Sequence, residues 1–152
     1  MKIRIAGLLV SLLIAATTAW AMDPIQTQFS SDGNFELSLL RCQVRGDVLT
    51  LQVAIKNTST DKAKYEFRYG DVYYTDIKNK KKYFALKDSE GMFIAGPMNT
   101  KIQGGKFAKW FKPGERNIIW VKFPAPAGET DSIDIAVPKA MPFEGVQLAK
   151  EG

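Results

Sequence analysis

From Phe35 onward, apolar and polar residues alternate with a period of two. Side chains of a strand point alternately to its two faces, so this spacing marks half-buried β-strands. "VLTLQVAI" puts Leu49, Leu51, Val53 and Ile55 on one face and Thr50 and Gln52 on the other. "NIIWVKF" groups Ile119, Val121 and Phe123, and "SIDIAV" groups Ile133, Ile135 and Val137 with Ser132 and Asp134 turned out. "YEFRY" aligns Tyr65, Phe67 and Tyr69. "FELSLLRCQV" begins with Phe35, Leu37 and Leu39 in phase and continues with Leu40, Cys42 and Val44, a switch that a β-bulge near Leu39–Leu40 explains.

Turn chemistry separates these runs. "RGD" at Arg45–Asp47 is a tight hairpin in which Gly46 supplies the turn geometry, a better reading than an adhesion motif. "NTSTD" at Asn57–Asp61 is a polar loop, "KPGE" at Lys112–Glu115 fits a type II turn, and "PAPAG" at Pro124–Gly128 is an extended connection. No sustained helical period occurs; one short turn near Asn99–Gln103 is the exception allowed. The pattern predicts one all-β domain over 34–152, an antiparallel β-sandwich of about seven to nine strands, after a polar, loose segment at 22–33.

The first residues belong to a different class. Lys2 and Arg4 precede an apolar run from Ile5 to Ala16, and Ala19 and Ala21 stand at the −3 and −1 positions of a small-x-small cleavage site. This is the layout of a secretory signal peptide over 1–21. The run is too short for a membrane span, which needs roughly 20 apolar residues, so no span is expected after cleavage. No cysteine follows it to carry a lipid anchor there, and the expected location is the periplasm or the medium.

Removing 1–21 takes two basic residues and no acidic one, so the net charge falls from +5 to +3. So mild a balance, in an exported protein, does not suggest nucleic acid as a partner. Cys42 is the single cysteine, so no internal disulfide can form, and in phase with Leu40 and Val44 it is expected to be a buried, reduced thiol. The chain has no histidine. That excludes Ser-His and Cys-His nucleophiles and histidine metal sites, and leaves only carboxylate or lysine chemistry. No cofactor, no metal and no enzyme activity are expected.

Four pieces carry a resemblance: "VLTLQVAIKNTS", "YFALKDSEG", "FKPGERNIIWVKFPAP" and "MPFEGVQL". Over roughly 35–149 the chain resembles exported bacterial immunoglobulin-like domains of the DUF4352 type. The resemblance implies an immunoglobulin-like sandwich in an exported context. It supplies no catalytic residues, and such domains often serve as binding or assembly modules. The inter-sheet cysteine pair of the antibody subtype is absent.

Candidate binding residues are few. Lys78, Lys80, Lys81 and Lys82 cluster in "KNKKK", where Asn79 is expected to take left-handed turn geometry. They read first as a solvated, aggregation-blocking hairpin tip and second as a contact for an anionic envelope surface. The long 87–110 segment carries apolar Met92, Phe93, Ile94 and Met98 among glycines. Trp110, between lysines in "KWFK", is the better aromatic for a surface role, whereas Trp120 is expected to pack in the interior. Asp88 and Glu90 of "DSEG", with Asp76 across a hairpin, are weak candidates for a cation site or a glycosidase pair, and Gly91 there suits a positive-φ loop. The expected function is a non-enzymatic binding or accessory module at the bacterial envelope, whose surface loops engage another envelope or secreted protein or an anionic surface. The alternative is an inhibitor or immunity protein that blocks an enzyme or toxin with the 87–110 loop.

Overall fold

The computed structural model describes residues 22–98 and 105–151; the expected signal peptide and the turn at Asn99–Gln103 lie outside the described residues. The described chain is all β apart from one 3-10 turn, Tyr69–Asp71. The strands are β1 (Gln26–Phe29), β2 (Phe35–Arg45), β3 (Val48–Asn57), β4 (Ala63–Arg68), β5 (Tyr73–Asp76), β6 (Lys81–Phe84), β7 (Ala95–Gly96), β8 (Lys106–Phe111), β9 (Arg116–Pro124), β10 (Ser132–Ala136), β11 (Phe143–Gln147) and β12 (Ala149–Glu151).

The expected β-sandwich is present, with corrections of detail. The described residues form twelve strands rather than seven to nine. They form a large sheet in the order β1-β2-β3-β9-β7, a second sheet β11-β10-β5-β6, and a separate pair β4-β8. Gln26–Phe29, in the segment expected to be loose, pairs antiparallel with β2. One pairing is parallel: β12 runs beside Gln43–Arg45, on the stretch of β2 beyond its contact with β1.

The alternating positions meet in one core. Leu37, Leu49, Leu51, Ile55 and Phe123 come from the large sheet, Tyr74, Ile135 and Phe143 from the second, and Tyr65, Phe67, Phe107 and Phe111 from the pair. The bulge falls where the phase switch put it, between Leu39 and Arg41. It leaves Leu39 and Cys42 both buried. Arg45 pairs with Val48 across a two-residue turn with Gly46 at φ +60°, and Gly114 of "KPGE" sits at φ +76°. Asn57, fully buried, donates to the carbonyls of Asp61 and Phe111 and accepts from the backbone and hydroxyl of Ser59, so the "NTSTD" loop closes on it.

Three buried tyrosines hold the layers together. Tyr65 donates its hydroxyl to the Pro138 carbonyl at 2.7 Å, Tyr69 to Pro97 at 2.8 Å and Tyr74 to Pro124 at 2.6 Å. Tyr74 also stacks on Tyr83 and meets Phe123 edge-on. Tyr74→Phe keeps the packing and leaves the Pro124 carbonyl without this donor. The expected loss is about 1–2 kcal/mol, against about 3–5 kcal/mol for Tyr74→Ala. Denaturant midpoints of the two variants check the order.

Cys42 is 2% exposed, and burial pushes its thiol pKa up to about 12. Too little thiolate forms at neutral pH to react, and the sulfur is out of reach. A thiol reagent should label Cys42 only after unfolding, at a rate that rises with denaturant; rapid labelling of the native protein would contradict the strand register.

Candidate functional site

The four lysines lie at the β5–β6 hairpin, all exposed, with Asp76 pairing Lys81 across its neck. Lys80, at φ +51°, takes the left-handed position in place of Asn79. Asn79 is used differently. Its side-chain amide donates to Asp76 Oδ2 at 2.8 Å and to Thr130 Oγ1 at 3.0 Å, and its backbone N–H donates to Asp76 Oδ1. Thr130 donates its hydroxyl to Asp76 Oδ2 at 2.6 Å. Asp76 and Thr130 are fully buried, so this network ties the hairpin to the β9–β10 connection. The lysines do not converge. Lys78 donates to the Glu129 carbonyl, Lys81 lies over the Tyr83 ring and Lys82 over the Tyr73 ring at 3.9 Å.

The 87–110 segment is stitched to the large sheet over its described part. Leu86 N–H donates to the Lys122 carbonyl, Lys122 N–H to Ile94, and Ala95–Gly96 pairs with β9. Phe93 and Met98 pack against the core, Ile94 is half-buried and Met92 is 39% exposed. The Phe93 ring rests where side chains on Gly70 and Gly105 would stand. Asp88 Oδ1 accepts the backbone N–H groups of Glu90 and Met92, and Gly91 has φ +81°. Asp88 and Asp76 thus each brace their own loop, and among the described residues no cluster of three potential metal-ligating acids or thiols occurs.

Trp110 is 56% exposed on β8, with the Lys62 ammonium 5.5 Å from its ring centroid. It stands apart from the lysine hairpin, on another sheet. On the same β4–β8 pair, hydrogen bonds from Lys64 and then Lys106 hold the Glu66 carboxyl down to about 2.

The residues that do converge were not singled out from the sequence. Trp120 is not interior: it is 37% exposed on the outer face of β9. Its register partners are Gln52 on β3, opposite Arg41 on β2, and Gly96 on β7, so Arg41, Gln52, Trp120 and Gly96 form one row across four strands. The next row is Gln43, Thr50 and Lys122, and Arg45 and Val48 follow. These side chains line an open groove of about 460 Å³. The bulge makes it possible. In the phase of Leu37 and Leu39, Arg41 would point into the core; the extra residue turns Arg41, Gln43 and Arg45 outward. That phase switch was the readable signal, and following the polar positions beyond it would have found the groove.

The groove is basic. Arg41, Arg45 and Lys122 line it against one acid, Glu151. Glu151 sits 3.4 Å from Arg45, a well-exposed pair worth little in water. Among the described residues, Arg41 and Lys122 have no carboxylate within ion-pair distance. A second depression, of about 300 Å³, is lined by Ser31, Lys64 and Lys139 together with Asp32, and its Lys64 is already paired with Glu66. No protein-family model, curated protein or solved structure matches this chain.

The hairpin anchor gives a pH prediction. Burial raises the Asp76 pKa, but hydrogen bonds from Asn79, Thr130 and the backbone of Asn79 and Lys78 outweigh it and leave the carboxyl below its ordinary 3.8. A depressed folded pKa contributes stability above the ordinary value, lost as pH falls through the folded one. Asp76→Ala should cost about 2–3 kcal/mol at neutral pH. It should also flatten the acid side of the stability profile below 3.8, read from thermal melts in a pH series.

Proposed function

We propose that this protein is an exported, non-enzymatic binding module of the bacterial cell envelope that engages an anionic partner through the outer face of its large sheet. One observation carries the reading: Arg41, Arg45 and Lys122 converge with exposed Trp120 in a single open groove opposed by Glu151 alone. Desolvated aromatics and arginines are the usual anchors of binding surfaces. The signal-peptide layout at 1–21 supports export, and the absence of histidine supports binding over catalysis. The envelope setting and the module role also follow from the resemblance to exported immunoglobulin-like domains. Inhibition through the 87–110 loop is less well supported, because Phe93 and Met98 turn toward the domain that carries them.

Binding to soluble carboxylate polymers, both polypeptide and polysaccharide, tests the reading by calorimetry at low and at physiological salt. Affinity should fall steeply with salt, since the screening length shrinks to about 8 Å at 0.15 M. The R41Q/R45Q/K122Q variant should lose most of the binding. K78Q/K80Q/K81Q/K82Q removes more charge yet should retain it, because its lysines diverge. The reverse ranking would place the anion site at the hairpin, and no binding to either polymer would defeat the proposal.

A further inference from the structure

The row through Trp120 identifies the class of anion. The indole does not stand on edge. A Cβ built on Gly96 would meet Cε2, Cζ2 and Nε1 of Trp120, all at 3.0 Å. Three bonded ring atoms equidistant from one point place that point above the ring rather than beside it. One face of the indole therefore lies on the bare Gly96 backbone, and Trp120, a 37% exposed residue, also lines the groove. Any larger residue at position 96 would press on the ring. A flat, seated aromatic face with a negative π-cloud suits the C–H face of a sugar ring.

The neighbours agree. Gln52 is the cross-strand partner of Trp120, and Gln43 and Thr50 occupy the next row. Amides and hydroxyls both donate and accept, as sugar hydroxyls do. The side chains of a peptide rich in aspartate and glutamate are acceptors alone and would be met best by donors alone. Arg41 and Trp120 lie two strands apart, about 10 Å, the scale of a short oligosaccharide rather than of a single ion.

Resting on the anionic-partner reading above, we infer that the ligand of this groove is an acidic polysaccharide, with one sugar ring stacked on the open face of Trp120, its hydroxyls against Gln52 and Thr50, and its carboxylate or sulfate groups against Arg41 and Lys122. No bond is made or broken. The recognition is stacking plus charge-assisted hydrogen bonding, and Gly96 is the positioning residue that keeps the ring flat.

The test uses the chain from Met22 onward, which retains every core residue from Phe35 to Val146. It carries Trp110→Phe so that Trp120 is the sole tryptophan, Trp20 having been removed. Polygalacturonate, dextran and poly-L-glutamate are titrated while tryptophan emission and heat are recorded. Polygalacturonate should bind and shift the Trp120 emission, and dextran and polyglutamate should each bind about tenfold more weakly or worse. Trp120→Ala should weaken polygalacturonate binding, followed by heat alone, about tenfold and leave polyglutamate binding unchanged. Trp120→Leu, which still covers Gly96, guards against a folding defect and should lose as much. Gly96→Ala should weaken polygalacturonate selectively while the melting curve reports the fold. Polyglutamate binding as tight as polygalacturonate, or full affinity after Trp120→Leu, overturns the saccharide inference and leaves the anionic-partner reading standing. Dextran binding as tight as polygalacturonate overturns the acidic character. No binding to any polymer defeats both readings.

Discussion

Three tyrosine hydroxyls, each donating to a proline carbonyl, are the cross-ties on which this sandwich depends. A chain with one cysteine cannot staple its sheets covalently. Tyr74 instead reaches from the second sheet to Pro124 at the end of β9 in the large sheet. Tyr69 reaches from the 3-10 turn to Pro97 beside β7, and Tyr65 from the β4–β8 pair to Pro138 after β10. Each bond joins elements that no ladder connects. Each phenol is also a large apolar body that fills the core, so one residue supplies packing and polar satisfaction together. Burial raises the pKa of all three hydroxyls, which keeps them protonated, and therefore donating, well above neutral pH.

The bulge in β2 links this core to the groove. Period-two strands have no freedom to choose which residues face water; a residue must be inserted to change the assignment. With Leu39 and Arg41 flanking the irregularity, the strand buries Phe35, Leu37 and Leu39 on one side of it and Cys42 on the other. The core loses little, since Cys42 acts as a small hydrophobe. The outer face gains Arg41 in the same row as Gln52 and Trp120. The site therefore rests on paired strands rather than on a loop, and its side chains are spaced by the sheet itself.

The long central strands were legible because each buries one full face, and burial is what alternation records. β2, β3, β9 and β10 emerged with their inward residues, and the turns at Gly46 and Gly114 with their positive φ. β1, β7 and β12 were not legible. They are four, two and three residues long, and they are strands because β2 and β9 offer them an open edge, not because of their own pattern. Trp120 was misplaced for a related reason. Alternation says that it opposes Ile119 and Val121, but an aromatic residue suggests a cover for that second face, and among the described residues the large sheet has none there. Asn79 was assigned the left-handed turn position on intrinsic preference; its amide instead satisfies buried Asp76 and Thr130, and Lys80 accepts the backbone strain at the solvated tip. The polar face of the β2–β3 hairpin could be followed in the sequence past the phase switch, but its meeting with Trp120 and Lys122 of β9 and Glu151 of β12 could not, because those strands lie far along the chain.

The same charge does different work at the hairpin and in the groove, and geometry decides which. At the hairpin, Lys81 and Lys82 stand on β6, an edge strand of the second sheet. Lys81 lies over Tyr83 of its own strand and Lys82 over Tyr73 of β5, and Lys78 is taken up by a carbonyl of the adjoining connection. Lysines on an edge make strand addition by another chain unfavourable, so their role is to keep the edge unpaired. In the groove, Arg41 and Lys122 extend from neighbouring rows of one sheet face, with Trp120 beside Lys122 on β9 and no carboxylate in reach among the described residues. Cations that diverge are solvated one at a time. Cations held on one rigid face repel each other slightly at rest, and a ligand that brings negative charge at matching spacing relieves that repulsion as it binds. Lysine count pointed to the hairpin; convergence on a rigid sheet points to the groove.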